Sequence, residues 1–350
     1  MNIDPSNEEL ASHGIQKSSI KWSIVFIDGE GNYWGKVFGS ENSLHKISEN
    51  YNCTQKYEFS NSIQSLYIDK QDSVFCSVLG TLYMYAKGAE QFVEVLKFST
   101  SSSYFRQDAF TESPNGDLLI GEYANIFENK KWKFVGYMYH SNDGGKNWVK
   151  IDFLKGAKIN KHIHILKWSY SLNGLIMTDG DNQKNIWLNS SKTEFHKISS
   201  DASTGWKKLN KRHIDKGGHT SFNELDGEIY LGTDYNGGTN FLSKTKDLVN
   251  YQSKVVPNPY RRSVFQRIAI RKCQNGSHEV WASLKFKHSS KVRSLLMMSR
   301  DNCATWNKII EYDGTTVQVD IISESVQSTN KIYLSVREAD KNLGDTYVIN

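Results

Sequence analysis

One eight-residue pattern occurs twice in this chain, and it constrains the fold more than any other feature of the sequence. The first copy, S-x-D-x-G-x-x-W, occupies residues 141–148 and ends at Trp148, and a strand-like Val-Lys-Ile follows it. The second copy, at residues 299–306, ends at Trp306 and has Cys303 in place of the glycine. In such a hairpin turn the Ser and Asp side chains satisfy backbone groups, and the Trp packs against neighbouring strands. Two distant copies therefore predict a repeat architecture built from β-hairpins.

Strand-like segments fill the sequence between the two copies, and weaker copies of the pattern begin at Ser191 and Ser243. Seven segments have the spacing of the second strand of a propeller blade: 24–28, 73–78, 117–122, 174–179, 228–234, 279–284 and 331–337. First strands are clear for six units only, and begin near residues 62, 106, 162, 219, 265 and 317. The pattern predicts an all-β fold, with residues 1–350 forming a single β-propeller domain of four-stranded blades. Seven blades are favoured, with residues 1–22 and 317–350 closing the ring, and six blades are the alternative.

The repeated pattern resembles the Asp box of the sialidase and BNR-repeat superfamily. The order of G-E-Y (121–123), the box, H-I-H (162–164), T-D-G-D (178–181) and G-T-D (232–234) is similar to a branch of bacterial glycosyl-hydrolase-like propellers. This resemblance implies that Asp143 and Asp301 are structural, because Asp boxes lie on the face away from the ligand site. In that branch an Arg often begins the blade that carries G-T-D, whereas this chain has His219 there.

True sialidases use three arginines, a Tyr–Glu pair and an F-R-I-P motif in the first blade. This chain has F-R-Q-D at residues 105–108, which keeps Arg106 but lacks Ile-Pro and lies in the third unit. Arg267 and Arg337 can complete a set of three arginines, but no convincing Tyr–Glu pair is present. The sequence therefore does not predict true sialidase activity.

Loops at one face of a propeller surround its central funnel, where first strands begin and second strands end, and a ligand site is expected in that concave mouth. The predicted catalytic residues are Glu122, His162, His164, Asp179 and Asp181. The predicted substrate-binding residues are Arg106, Tyr123, His219, Asp234, Tyr235, Arg267 and Arg337. Acids, imidazoles, arginines and tyrosines together suit a polar, anionic ligand.

The H-I-H segment is the sharpest local signal. Residues i and i+2 of a strand point to the same face, so His162 and His164 are expected to project together. Such a pair can transfer protons, hold a sugar carboxylate or bind a divalent metal, or it can be a hydrogen-bonded structural pair. No third ligand is evident, so no metal or other cofactor is predicted, with a divalent ion at the pair as the alternative. Glu122 is a candidate acid or base, or a partner of Arg106, while Asp179 and Asp234 are each divided between a turn and a site role.

The predicted function is that of a carbohydrate-active enzyme that cleaves or transfers within an acidic glycan at the funnel. Glu122 with Asp179 or Asp181 would flank the glycosidic bond, and Arg106 and Arg267 would hold the anionic sugar. One alternative is a polysaccharide lyase with a His base and Arg neutralisation of a uronate. A glycosyltransferase or other cytoplasmic enzyme of surface polysaccharide synthesis is another. The last is a non-catalytic glycan-binding propeller in which tyrosines at 123 and 235 stack on sugars.

Composition excludes several classes of protein. The net charge of +5 is mild, and no nucleic-acid-binding motif or basic arm is present, so the predicted partner is an acidic oligo- or polysaccharide rather than nucleic acid. The N-terminus lacks the features of a signal peptide, and no apolar run approaches the roughly 20 residues that span a bilayer, so a cytoplasmic protein without a membrane partner is expected. The 4 cysteines form no C-x-x-C pair, which argues against a cysteine-based zinc site. The sequence does not predict the oligomeric state.

Overall fold

The computed structural model describes residues 7–48, 53–158, 161–181, 183–209, 217–327, 329–339 and 341–350. Within these residues, seven sheets, each with four antiparallel strands, follow one another along the chain and form a seven-bladed β-propeller. The predicted all-β fold and the favoured blade number are confirmed, and the alternative of six blades is wrong. Among the described residues, the helical elements are α1 (Asn7–Ser12), α2 (Phe153–Gly156) and a 3-10 turn at Ala202–Thr204.

Each blade is a sheet whose strands are adjacent in the order given. Blade 1 contains β2 (Trp22–Ile27), β3 (Tyr33–Val37), β4 (Ser40–Ile47) and β5 (Cys53–Glu58). Blade 2 contains β6 (Ile63–Ile68), β7 (Val74–Val78), β8 (Thr81–Tyr85) and β9 (Val93–Lys97). Blade 3 contains β10 (Tyr104–Glu112), β11 (Leu118–Tyr123), β14 (Met138–Ser141) and β15 (Val149–Ile151). The ribbon β12 (Phe127–Glu128) and β13 (Lys131–Trp132) lies between β11 and β14 in sequence.

The remaining blades follow the same plan. Blade 4 contains β16 (Ile163–Ser169), β17 (Gly174–Asp179), β18 (Ile186–Asn189) and β20 (Trp206–Lys208), to which β19 (Ile198–Ser199) adds. Blade 5 contains β21 (His219–Leu225), β22 (Glu228–Thr233), β23 (Phe241–Thr245) and β24 (Tyr251–Val255). Blade 6 contains β25 (Val264–Lys272), β26 (His278–Lys285), β27 (Ser294–Ser299) and β28 (Asn307–Tyr312). Blade 7 contains β29 (Val317–Ile321), β31 (Ile332–Glu338), β32 (Gly344–Ile349) and β1 (Ile15–Lys17), and β30 (Ser323–Ser325) pairs in parallel with β2.

The sequence misplaced one strand. Residues 24–28 were expected to be the second strand of their unit, but they belong to β2, which is the first of the four antiparallel strands of blade 1. The first strand that the sequence left unidentified in this unit is therefore β2 itself. The outer strand of blade 7 comes from the other end of the sequence, where Ile15 pairs with Ile349 and Lys17 with Tyr347.

The chain divides into two compact units. The first comprises residues 1–72, 235–242 and 254–350, and the second comprises residues 73–234 and 243–253. Blades 3 and 4 lie wholly within the second unit, and blades 1, 6 and 7 lie within the first.

The strand β17 illustrates why the sequence forms blades. Successive side chains of a strand face opposite ways, so its buried residues divide between two cores. Leu175 and Met177 pack into a cluster with Trp187 and Trp206, whereas Ile176 packs into a second cluster formed with blade 5. Every residue of β17 is buried, because a neighbouring sheet covers each face. A continuous apolar run, rather than strict alternation, is therefore the signature of these middle strands.

The turn at residues 141–148 has the bonding that its sequence predicts. The Ser141 hydroxyl accepts from the backbone N–H of Gly145 at 2.9 Å and donates to Asp143 Oδ1 at 2.8 Å. Asp143 also accepts from the N–H and the side-chain amide of Asn147. These bonds lower the pKa of Asp143 to about 2. Trp148 is half-buried and packs edge-on against two phenylalanines of blades 2 and 3.

The same bonding recurs at Asp301, whose carboxylate accepts from the backbone N–H and hydroxyl of Thr305. It also occurs where Asp247 follows Thr245, so the weaker copy that the sequence placed at Ser243 is shifted by two residues. The first turn lies at the end of its blade remote from Tyr123, because Ser141 pairs with Leu118, the first residue of β11.

Candidate functional site

The start of β16 carries the H-I-H segment in a β-bulge. Ile163 pairs with Asp179 and Ile165 with Thr178, so His164 is the extra residue that the partner strand does not match. Bulges of this kind re-aim a side chain and occur often beside functional sites. The bulge brings the Nε2 atom of His164 to 3.0 Å from the Nε2 atom of His162. The two imidazoles therefore project together, as their spacing in the sequence predicts.

His162 is held from three sides. Its Nδ1 atom lies 2.7 Å from the carbonyl oxygen of Ala124, to which it donates, and the ring of Tyr123 lies against it with centroids 4.0 Å apart. Gly180 borders the ring so closely that a Cβ atom there would be 2.3 Å from Cδ2 of His162. His162 is 0% exposed, so both the position and the tautomer of the imidazole are set by its surroundings.

Asp181 faces both imidazoles. Its Oδ1 atom lies 3.8 Å from Nε2 of His164, and its Oδ2 atom lies 4.0 Å from Nε2 of His162. Lys161 donates to Oδ2 at 2.8 Å and lies over the ring of Trp132, 3.6 Å from the centroid. Since the side chain of Asp181 is 41% exposed, it connects the buried histidines with solvent.

Arg106 supplies a second cation at the same place. Its guanidinium lies over the ring of Tyr123, with Cζ 5.3 Å from the ring centroid. The same tyrosine ring packs against His162. Such cation–π contacts hold an arginine in place without neutralising it. We refer to the following residues as the His162 cluster, all of them in the second unit: Arg106, Tyr123, Lys161, His162, His164, Asp181 and Asp234.

The electrostatics of the cluster separate its titratable groups. Burial lowers the pKa of His162 to about 4, and burial with the nearby charge of Arg106 lowers the pKa of His164. Both imidazoles are therefore uncharged at neutral pH. Burial opposes ionisation of Asp181, but the hydrogen bond from Lys161 and the nearby imidazoles outweigh it and lower the pKa of that carboxyl to about 2.

Asp234 belongs to the cluster through its electrostatic interactions. Burial and the charge of Asp181 raise the pKa of Asp234 to about 6, and Arg106 and Lys184 only partly oppose this rise. Neighbouring carboxyl groups with pKa values displaced in opposite directions are the arrangement in which one acid and one base are found. The cluster thus contains one carboxylate that is always ionised near neutral pH and one that titrates close to it.

Glu122 has a different environment from the one that the sequence suggested. It is 0% exposed, and its carboxylate accepts from the backbone N–H of Ser99 at 3.1 Å, from the Ser99 hydroxyl, and from the hydroxyl of Tyr139 at 2.7 Å. A buried carboxylate with these partners stabilises the connection between blades 2 and 3. The bonds favour a structural role for Glu122 over the predicted catalytic one.

Asp179 is likewise committed to a turn. It is 0% exposed and accepts from the backbone N–H of Asn185 at 2.9 Å and from Nε1 of Trp187 at 2.9 Å. Asp28 makes the equivalent bonds in blade 1, where Trp34 Nε1 donates to its carboxylate at 2.9 Å. The sequence left Asp179 either a turn role or a site role. Because the same bonds occur at a second blade, they favour the turn role.

Three of the other predicted binding residues are paired with groups outside the His162 cluster, and the fourth, Tyr235, is exposed. His219 is 0% exposed and pairs with Thr233 at the start of blade 5. In the first unit, Arg267 is 7% exposed and its Nη2 atom lies 2.8 Å from Glu324 Oε1. Arg337 donates to Gln318 at 2.6 Å. Tyr235, also in the first unit, is 40% exposed.

Sequence reasoning missed two members of this environment. Lys161 immediately precedes the H-I-H segment, and its charge next to a histidine pair was the available signal. Gly180 lies between two aspartates, and only the close approach of His162 explains why a residue without a side chain is needed there.

Cys76, Cys273 and Cys303 form no disulfide, and Cys76 and Cys303 are buried. Among the described residues, no helix is long and apolar enough to cross a membrane.

No family model matches this chain, and no curated protein matches it in sequence. Its fold is similar to several solved structures. The extracellular domain of a putative one-component system from B. thetaiotaomicron aligns over 95% of this chain with a TM-score of 0.61 and 12% identity. The β-propeller domain of Cps50 (Swd1) from Myceliophteria thermophila covers 95% of this chain and 98% of its own length, with a TM-score of 0.56 and 9% identity.

A chain in the mitotic checkpoint complex is also similar, with a TM-score of 0.58, 9% identity, and coverage of 95% of this chain and 93% of its own length. This chain spans 40% of the length of the B. thetaiotaomicron chain. The likeness establishes the fold alone. A putative one-component system, Cps50 (Swd1) and a chain of the mitotic checkpoint complex share this architecture, so the fold does not assign a function.

Proposed function

We propose that the protein is a carbohydrate-active enzyme that binds an acidic glycan at the His162 cluster and cleaves or transfers within it. The observation that supports this proposal most strongly is the combination of two cations, Arg106 and Lys161, with the half-exposed carboxylate of Asp181 beside two buried imidazoles. Arginine and lysine bind a sugar carboxylate through charge-assisted hydrogen bonds. A pair of carboxyl groups, one on each side of a glycosidic bond, is what hydrolysis or transfer needs.

The assignment of the carboxyl groups differs from the one made on sequence. Asp234 interacts electrostatically with Asp181 and with Arg106, whereas Glu122 and Asp179 are occupied by buried hydrogen bonds. We therefore assign the acid and base roles to Asp234 and Asp181. Arg106 would orient the anionic group of the substrate.

A polysaccharide lyase is a second candidate, and the uncharged imidazoles beside Arg106 favour it. In that reaction His164 would take the proton from the carbon next to a uronate carboxylate, the electron pair would form a double bond, and the glycosidic oxygen would leave with a proton. Arg106 would stabilise the negative charge that develops on the carboxylate. Elimination yields an unsaturated sugar, so the products distinguish the two candidates.

The sialidase-like, Asp-box affiliation belongs to the same proposal. It is supported by the bonding of the turns at Asp143 and Asp301 and by the position of the first turn at the end of its blade remote from Tyr123. In that superfamily the boxes are structural and the ligand binds at the other face, which agrees with a site at the start of β16.

The test compares a uronate-containing oligosaccharide with a neutral one of equal length, in binding and in turnover. Wild-type protein should bind the acidic glycan more tightly, and added salt should weaken that binding, because salt screens the attraction. Arg106→Gln should lose the preference. The matched control Lys146→Gln removes one positive charge at the remote turn and should keep it.

The products then assign the reaction. Reducing ends without near-ultraviolet absorption indicate hydrolysis, an unsaturated product indicates a lyase, and dependence on an activated sugar donor indicates transfer. Binding without turnover would refute the enzyme and leave a glycan-binding propeller. Equal affinity for acidic and neutral glycans, unaffected by salt or by Arg106→Gln, would refute the glycan proposal altogether.

A further inference from the structure

Three potential ligand residues, from two segments of the chain, converge within the His162 cluster. The Nε2 atoms of His162 and His164 are 3.0 Å apart. Oδ1 of Asp181 lies 3.8 Å from Nε2 of His164, and Oδ2 lies 4.0 Å from Nε2 of His162. Metal–nitrogen and metal–oxygen bonds in protein sites are about 2.0–2.2 Å long, so ligand atoms of one ion lie roughly 3 to 4 Å apart. With one oxygen of Asp181 as the ligand, the three donor atoms all lie within 4.8 Å of one another, so a small movement of the exposed Asp181 side chain brings them to one ion.

The surroundings of His162 and Asp181 are those of metal ligands. A ligating histidine usually donates its other ring N–H to a carbonyl or carboxylate, which fixes the tautomer. His162 Nδ1 does so to the carbonyl of Ala124 at 2.7 Å, which leaves the Nε2 lone pair facing His164. Ligating carboxylates are in turn hydrogen-bonded, and Lys161 donates to Asp181 at 2.8 Å. Each of these two ligands thus has an outer partner that holds its orientation.

Asp181 and Asp234 are the acidic members of the cluster and offset the charges of Arg106 and Lys161, and the arrangement of the two imidazoles is what favours an added cation. Two facing imidazole nitrogens, at 3.0 Å, accommodate only one proton between them, whereas a metal ion satisfies both lone pairs at once. Imidazole suits zinc, copper, nickel and iron, while calcium and magnesium prefer oxygen ligands alone.

We propose that His162, His164 and Asp181 bind one divalent first-row transition metal ion, with zinc as the reference ion. Three protein ligands leave a coordination position open, as in metal sites that receive water or a substrate oxygen. Because the side chain of Asp181 is 41% exposed, that position is reached from solvent on its side. The metal site goes beyond the proposed glycan activity and is tested without any glycan.

The experiment uses the full chain without an affinity tag, stripped of metal with a chelator and titrated with zinc chloride by calorimetry. One ion per chain should bind. Asp181→Asn and His164→Gln should each weaken binding by at least about 10-fold, because loss of a ligand costs no less than loss of an outer partner. Cobalt should bind with visible absorption bands that both variants lose.

The matched control is His140→Gln. His140 also pairs with an aspartate, since its Nε2 atom is 3.2 Å from Asp117 Oδ1, but no third donor of the described residues joins them. This variant should bind zinc as the wild type does. Should His164→Gln fail to fold, the exposed Asp181→Asn decides the outcome. Absence of stoichiometric binding, or wild-type affinity in Asp181→Asn, would overturn the metal site and leave the glycan proposal to its own test.

Discussion

Gly180→Ala is expected to displace His162 and to destabilise the protein. A Cβ atom at this position would lie 2.3 Å from Cδ2 and 2.5 Å from Nε2 of His162, where ordinary contacts begin at 3.4 Å. The imidazole would have to move by about 1 Å. It is not free to do so, because Ala124 accepts from its Nδ1 atom at 2.7 Å and Tyr123 packs against its face.

Overpacking of this kind costs typically about 1–3 kcal/mol, and we expect the free energy of unfolding of Gly180→Ala to fall within that range. The cost should be near the upper end, since the backbone N–H of Gly180 is also bonded to the carbonyl of His162 at 2.6 Å, which prevents the turn from swinging away. Urea denaturation followed by tryptophan fluorescence measures the difference from the wild type.

Gly156→Ala is the matched control, because nothing lies within 4 Å of the Cβ atom that it would add. It should leave the stability unchanged or raise it by up to about 1 kcal/mol, through the lower entropy of the unfolded chain. If Gly180→Ala were as stable as the wild type, and zinc binding and glycan binding were both unaffected, the close packing of His162 against this turn would be refuted.

Three further predictions concern the framework of the blades. Trp148→Ala should lower the free energy of unfolding by about 2–3 kcal/mol, which is less than for a fully buried Trp because Trp148 is half-buried. An unchanged melting temperature would contradict its packing between blades. The pKa values of Asp143 and Asp301 are about 2 in the folded protein and 3.8 ordinarily, so their contribution to stability is present above pH 3.8 and is lost as the pH falls toward 2. The double variant Asp143→Asn/Asp301→Asn should show a shallower fall of melting temperature over this range, and an identical slope would refute the assignment. Asp179→Ala should lower the free energy of unfolding by about 1–3 kcal/mol, because the indole N–H of Trp187 loses its buried acceptor. Circular dichroism melts at neutral pH measure this loss.

The repeat pattern predicted most of the fold because blade geometry is encoded locally. The second strand of blade 4 has the predicted bounds, Gly174–Asp179, since a buried apolar run between turn residues has few other solutions. The error at residues 24–28 arose because the segments of blade 1 have no repeated turn to set their register. Strand order within a sheet depends on pairing between segments, which a single sequence does not display.

The candidate site was less predictable because its members are defined by contacts across the chain. The histidine pair was found from its spacing, but its third partner depends on how the turn after β17 brings Asp181 back to Lys161. Glu122 was a reasonable candidate at the end of a strand, and only Ser99, from the preceding connection, shows that its carboxylate is enclosed. Burial and hydrogen bonding separate two acids that look equivalent in the sequence.

The pairing of β1 with β32 has a consequence for how the protein forms. Ile15 and Ile349 are partners in one sheet, so β1 cannot pair until the much later residues of β32 have been synthesised. Closing so long a loop costs entropy before any contact of this sheet repays it, and contacts of high sequence separation slow folding. Blades 2 to 6 can each form from a continuous stretch of chain, whereas blade 7 cannot. Until β1 pairs with it, the edge of β32 presents unpaired backbone groups with which another chain can pair.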